Sequence, residues 1–378
     1  MHCHIALAGI ARFVSIEKNP RMKEPQPDPP AASSAREPRR GRSTVTRIML
    51  LMGLVVLLGA GWSWRQPIGH WWDAFLGNRP LLAAKSWHYQ LMDISVAGLV
   101  RSDADVVVTE FSHSTGTRAA FTPDEVARIK ARPGGGKRIA LSYFSIGEAE
   151  SYRFYWKPEW TEGNMPAWHV AENCAWPRNH LVRFWQDGWK DIIYRGPDSF
   201  LKRIVDAGFD GVYLDRIDVY EVLLSERPSA REDMIAFVSE LAAAARRMKP
   251  GFLVVAQNAE DLLTEGRYRD VIDGLGKEDM LYGGHGTNER NGADDIAWSR
   301  ERIAKLQSDH KPVFAVEYLS KPDLIAKTRR ELLGADMVPT FAHRSLDGGD
   351  PVEPRPESTI KYGTPEWIGE QCQGKRHW

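Results

Sequence analysis

Residues Gly208 to Asp218 set a short, continuous apolar run directly against two carboxylates. Val212, Tyr213 and Leu214 show no polar–apolar alternation, so the segment predicts a strand buried on both faces. The run stops at Asp215, and Asp218 follows three residues later. The pattern recurs downstream: Phe252–Ala256 runs into Gln257, Asn258 and Glu260, Val271–Leu275 into Lys277, Glu278 and Asp279, and Val313–Val316 into Glu317. Strands buried on both faces belong to parallel sheets covered by helices, and in a (β/α)8 barrel every strand C-terminus opens on the same face. Acids at four successive strand ends would then share one mouth. A single such acid can equally cap the helix that follows, because an N-cap carboxylate accepts backbone N–H bonds. Repetition at four ends favours the shared site.

The rest of the folded region supplies the remaining strands. Candidates lie at Trp87–Leu91, Asp105–Phe111, Arg138–Ile146, Gly211–Asp215, Phe252–Gln257, Val271–Leu275, Pro312–Tyr318 and Met337–Phe341. Eight is the number that closes a barrel, and residues 85–350 come to about the 250 residues such a domain needs. Amphipathic stretches alternate with the strands, among them Thr122–Ala131, Asp198–Ala207 and Arg231–Met248. The first carries Pro and acids in its opening turn, and the last stops before Pro250–Gly251. After the third strand, Ser151–Asp191 holds Trp156, Trp160, Trp168, Trp176, Trp185 and Trp189. So aromatic an excursion predicts an ordered insertion. Most of these indoles are expected in a local core, with one or two left as flat platforms for sugar rings.

The termini are a different kind of chain. Residues 1–47 include the proline-, serine- and arginine-rich Pro25–Ser43, which lacks the apolar content to fold and reads as a disordered leader. Met22 is a candidate initiator within it. Residues 48–64 form an uncharged run of 17 residues behind Arg39, Arg40, Arg42 and Arg47, the layout of a signal segment or a membrane anchor. Either reading places the barrel outside the cytoplasm, facing the periplasm or the exterior, or secreted if the leader is cleaved. Residues 351–378 read as a polar tail.

Several function classes are disfavoured. Lys plus Arg and Asp plus Glu each number 50, so no global field favours nucleic acid. Cys3, Cys174 and Cys372 are too scattered for a metal knuckle; Cys174 and Cys372 either pair or stay free. The run Pro133–Lys137 follows a helix and precedes a strand, the reverse of a phosphate loop, and reads as a turn. His113, His285 and His343 lack paired metal-ligand spacing, and no Gly-x-Ser-x-Gly elbow is present. Neither metal nor cofactor is expected.

Two carboxylates suffice to hydrolyse a glycosidic bond: one protonates the leaving oxygen while the other attacks the anomeric carbon or activates water. Asp215 and Glu278 fit that role, with Glu260 as a competing acid one strand earlier, and Gly283–Asn288 could form a lid. Trp87-His88-Tyr89-Gln90-Leu91, Tyr143-Phe144-Ser145-Ile146-Gly147-Glu148, Gly208–Asp215, Gln257-Asn258 and Glu317-Tyr318-Leu319 together resemble glycoside hydrolase family 114, the endo-α-1,4-polygalactosaminidase group. The resemblance implies a (β/α)8 barrel that cleaves galactosamine-containing exopolysaccharide, with Asp215 as nucleophile or base and Glu278 as general acid. Asp218, Asn258 and Glu317 are expected to position the sugar, with Gln90, Tyr143, Glu148, Glu260 and Tyr318 completing the binding set. An acidic mouth would attract a cationic amino-sugar polymer. The alternative is a catalytically inactive polysaccharide-binding barrel serving exopolysaccharide export or biofilm assembly.

Overall fold

A computed structural model describes residues 79–113, 120–284 and 286–353. The leader, the apolar segment 48–64, His285 and nearly all of the 351–378 tail lie outside these residues. Among the described residues no helix is long and apolar enough to cross a membrane.

Eleven strands follow in chain order: β1 (Trp87–Gln90), β2 (Val106–Thr109), β3 (Ile139–Ser145), β4 (Glu148–Glu150), β5 (His169–Glu172), β6 (Asn179–Val182), β7 (Gly211–Asp215), β8 (Leu253–Gln257), β9 (Gly274–Glu278), β10 (Val313–Glu317) and β11 (Met337–Phe341). Eight of them pair in parallel in the order β1-β2-β3-β7-β8-β9-β10-β11, a nearly closed (β/α)8 barrel. The seam between β1 and β11 is bridged by side chain and loop: Trp87 Nε1 donates to the Val338 carbonyl at 2.9 Å, and Leu91 and Met92 N–H donate to Leu346 at 2.8 and 3.0 Å.

Strand alternation sorts the side chains into two cores. Trp87, Tyr89, Val106, Val108, Leu141, Tyr143, Tyr213, Leu253, Val255, Phe314, Val316 and Tyr318 form one buried cluster, the barrel interior. Their sequence neighbours Val107, Ala140, Val212, Leu214, Val254, Ala256, Leu275, Val313 and Ala315 join the larger cluster under the helices. By this period of two, Asp215, Gln257 and Glu278 extend the inward rows of β7, β8 and β9, whereas Gln90, Lys277 and Glu317 fall on outward rows.

Two of the helices that cover the sheet begin at a side-chain cap. Thr122 and Glu125 form a reciprocal capping box ahead of Pro123–Lys130, with Glu125 N–H donating to Thr122 Oγ1 at 3.3 Å and Thr122 N–H to Glu125 Oε2 at 2.8 Å. Ser199 caps Phe200–Asp206 through Lys202 N–H. Pro133–Lys137 is a turn into β3, closed by the Ala131–Lys137 bridge.

The sixth barrel strand differs from its predicted place. Val271 ends a helix, Gly266–Val271, and the strand runs over Gly274–Glu278. Two glycines depress the strand signal there. Gly276 is dictated by packing, because a Cβ at this position would lie 1.9 Å from the Tyr213 hydroxyl. Shifting the strand places Lys277 and Glu278 inside it rather than after it.

The Trp-rich excursion is not one loop. β4, β6 and β5 form an antiparallel sheet of their own, and Trp168 and Trp189 are buried with Trp156, Trp160 and Trp185 packed against them. Trp176, at the β5–β6 turn, is 39% exposed. Arg153 fastens the insertion to β2: its fully buried guanidinium pairs with Glu110 at 2.5 Å and Glu150 at 2.6 Å. Cys174 is disulfide-bonded.

Candidate active site

Three adjacent strands end in the same way. Asp215, Gln257 and Glu278 close β7, β8 and β9, and the next residues, Arg216 (φ 59°), Asn258 (φ 53°) and Asp279 (φ 48°), are all left-handed. Ala259 (φ 54°) extends the pattern. Asn and Asp tolerate this region, but for Arg and Ala it costs on the order of 1 kcal/mol or more, so surrounding contacts must hold it. These breaks turn the chain sharply at the barrel mouth, the face on which (β/α)8 chemistry is built. Strain of this kind clusters at functional sites.

The contacts that hold the breaks are polar and aimed at two carboxylates. Tyr143, opposite Tyr213 in the β3–β7 register, donates its hydroxyl to Asp215 Oδ2 at 2.6 Å, and Arg216 N–H donates to Asp215 Oδ1 at 2.7 Å. Glu278 accepts from the Tyr318 hydroxyl on Oε1, and on Oε2 from Gln257 Nε2 and from Asn258 Nδ2, the last at 3.3 Å. Asn258 Oδ1 accepts the Glu278 backbone N–H at 3.1 Å, which locks the turn after β8 to the end of β9. Each carboxylate therefore has a tyrosine from a neighbouring segment, Tyr143 on β3 and Tyr318 just after β10, and a fixed orientation.

Burial and mutual repulsion set their protonation. Burial, and then the Glu278 charge, push Asp215 up to about 7, against the Arg216 guanidinium and the Tyr143 hydrogen bond. Burial raises Glu278 as well, opposed chiefly by the Tyr318 hydrogen bond. At about 7, Asp215 is roughly half protonated near neutrality, and the charge on one carboxylate disfavours ionisation of the other. One group that is protonated and one that is ionised is what glycosidic hydrolysis requires.

The family model of glycoside-hydrolase family GH114 matches residues 75–358. The chain belongs to this family. Its relatives include an uncharacterised protein of Deinococcus radiodurans, 36% identical over 60% of this chain and 70% of its own length. An uncharacterised protein of Methanocaldococcus jannaschii is 31% identical over 70% of this chain and 73% of its own. Among solved structures, the barrel is similar to the glycoside hydrolase domain of PelA from Pseudomonas aeruginosa, with a TM-score of 0.54 and 18% identity over 70% of this chain and 97% of that domain, a likeness of fold.

In the GH114 barrel these contacts form two hydrogen-bonded sets, Tyr143 with Asp215 and Tyr318 and Asn258 with Glu278, and the two carboxylates sense each other through charge. Glu148 and Asp218 stand one step back, joined through Arg216: the guanidinium lies 3.1 Å from Glu148 and 3.8 Å from Asp218. Three other residues singled out from the sequence make contacts elsewhere. Gln90 donates to the Met92, Asp93 and Asp347 carbonyls, serving the barrel seam. Glu260 pairs with Lys277 at 3.1 Å and accepts from Ser299 at 2.8 Å; its neighbours hold its carboxyl below the usual range despite burial. Glu317 faces outward and accepts Leu281 and Tyr282 N–H at 2.8 and 3.2 Å, anchoring the loop after β9; burial pushes it up to about 8. The loop at Gly283–Asn288 is itself tied down, since Asn288 exchanges hydrogen bonds with Ser320 at 3.0 Å.

Two site residues escaped the sequence reading. Arg344, after β11, makes a bidentate pair with Asp279 at 3.0 Å and covers the Tyr318 ring at 4.4 Å. Its position just past the eighth strand was the available signal. Arg216 was overshadowed by the acids flanking it. Among the described residues no group of three His, Cys, Asp or Glu side chains could hold a metal ion. A cavity of about 490 Å³ lies on the outer helical layer between Tyr194–Arg195 and Glu240–Met248, and its one carboxylate is already paired with Lys190 and Arg195.

Proposed function

We propose that this chain is an endo-acting glycosidase that cleaves α-1,4-linked galactosamine-containing exopolysaccharide, with Glu278 as general acid and Asp215 as nucleophile or base. The observation that carries the reading is the pair of half-buried, tyrosine-held carboxylates on the inward rows of β7 and β9. Glu278 would donate its proton to the glycosidic oxygen while ionised Asp215 attacks the anomeric carbon or removes a proton from water. Tyr143 and Arg216 would favour the ionised form of Asp215 against burial and the Glu278 charge, and Asn258 would keep the Glu278 carboxyl plane fixed.

Membership of GH114 supports polysaccharide hydrolysis, and the amino-sugar substrate follows from charge. A deacetylated galactosamine polymer is cationic, and Asp215, Asp218, Glu278 and Asp279 outnumber Arg216 and Arg344 around the two strand ends. Residues 48–64 would tether the barrel at a membrane, facing outward. The test is product release from partially deacetylated galactosamine polymer by the full chain. Oligosaccharides with internal-cleavage lengths support the reading. Binding without release would favour the polysaccharide-binding barrel instead.

A further inference from the structure

Glu278 Oε2 receives its shortest contact from a side-chain amide, and an amide is ambiguous: rotated end for end, it offers an acceptor where it offered donors. Something must choose the orientation of Gln257. Tyr89, on the inward row of β1, donates its hydroxyl to Gln257 Oε1 at 3.1 Å, while Gln257 Nε2 donates to Glu278. Both Tyr89 and Gln257 are buried, at 3% and 4% exposure. Tyr89 is held by Trp87 and Tyr213, with ring centroids 5.6 and 5.1 Å away, so its hydroxyl has little freedom to follow a rotating amide. Burial and nearby carboxylates push the Tyr89 hydroxyl far above its ordinary value, so it remains a proton donor throughout the working range.

We infer that Tyr89 is a positioning residue: its hydroxyl fixes the Gln257 amide so that Nε2, and not Oε1, faces the Glu278 carboxylate. The inference rests on the proposed role of Glu278 as general acid only for its functional consequence. Held in this sense, the amide donates to Glu278 and favours the ionised form. Released, it can turn its oxygen towards protonated Glu278 and accept that proton, favouring the neutral form. Tyr89 therefore keeps the acid from holding its proton too tightly. Asn258 Nδ2 donates to the same oxygen at the longer distance of 3.3 Å, with its carbonyl committed to the Glu278 N–H, so its contribution is independent of Tyr89.

The test is the full chain carrying Tyr89→Phe, which keeps the stacked ring, alone and combined with Gln257→Leu. The primary readout is the titration of the Glu278 carboxyl by carbon-13 NMR, its signal assigned by loss in Glu278→Gln; the second is the pH profile of polymer cleavage. Tyr89→Phe is expected to raise the Glu278 midpoint by about one pH unit, a tenfold gain in proton affinity. It should move the alkaline limb of activity the same way and leave KM unchanged. In the Gln257→Leu background Tyr89→Phe should move the midpoint no further. An unmoved midpoint, or an equal shift in both backgrounds, overturns the inference, while Tyr89→Phe alone decides it if the Leu variant does not fold. A shifted midpoint without cleavage by any form would uphold the relay and refute only the hydrolytic reading.

Discussion

Removing one hydroxyl tests how Asp215 is kept ready for reaction. Tyr143 is 8% exposed and its hydroxyl lies 2.6 Å from Asp215 Oδ2, so Tyr143→Phe deletes a buried, charge-assisted hydrogen bond while keeping the ring. Such a bond favours the ionised carboxylate by about 1.5–3 kcal/mol, which at about 1.36 kcal/mol per pH unit corresponds to roughly one to two units. Asp215 sits at about 7 with the bond in place, so without it the apparent value moves to roughly 8–9. If Asp215 must be ionised, its active fraction at pH 7 falls from about one half to roughly 1–10%, and turnover drops by roughly 5- to 50-fold. The ratio of variant to wild-type rate should largely recover at pH 9. Initial rates of reducing-end release from galactosamine polymer, measured from pH 5 to 10, would show the acid limb displaced upward with KM little changed. A uniform loss at every pH, with the limb where it was, would refute the reasoning.

Other consequences follow from the same contacts. Asp215 sits near 7 when folded against 3.8 as a model carboxyl, so the folded state binds the extra proton and stability falls as pH rises between those values. Asp215→Asn should therefore stabilise the protein by up to about 4 kcal/mol at pH 8 and by nothing near pH 3, read from urea midpoints at both pH values. Gly276→Ala places a methyl 1.9 Å from the Tyr213 hydroxyl and 2.3 Å from its Cζ, and should cost about 1–3 kcal/mol or more in thermal unfolding together with most activity. Gly134→Ala, which meets nothing within 4 Å, is the control expected to be close to neutral. Arg153→Met strips the cation from two carboxylates that are each 2% exposed, Glu110 and Glu150. It should destabilise by about 3–5 kcal/mol, more at pH 8 than at pH 5, and open the insertion to limited proteolysis.

The barrel was legible because its strands are short and apolar and alternate with amphipathic stretches. β7 and β11 occupy the predicted residues, and the helix entered at Thr122 starts where its opening turn predicts, because capping is local chemistry. β9 was misplaced because the reason for Gly276 lies two strands away, in the Tyr213 ring, and no local pattern reports such a neighbour. The address of an acid at a strand end was readable, but the face it takes was not: one residue decides inward from outward. Glu278 and Glu317 both close their strands, yet Glu278 points into the mouth and Glu317 holds a loop. Glu260 looked like a rival acid until its partner Lys277, adjacent to Glu278, came into view on the outward row. The hydrogen bonds from Tyr89 through Gln257 join residues 168 positions apart, beyond any sequence spacing rule.

The most direct measurement uses the full chain beside Asp215→Asn and Glu278→Gln, with cleavage and binding of partially deacetylated galactosamine polymer followed in parallel. Wild type should release oligosaccharides, and both amide variants should bind the polymer as well as wild type while losing at least about a hundredfold in turnover. Undiminished cleavage by either variant, or binding without cleavage by all three, would contradict a two-carboxylate hydrolase built on this pair.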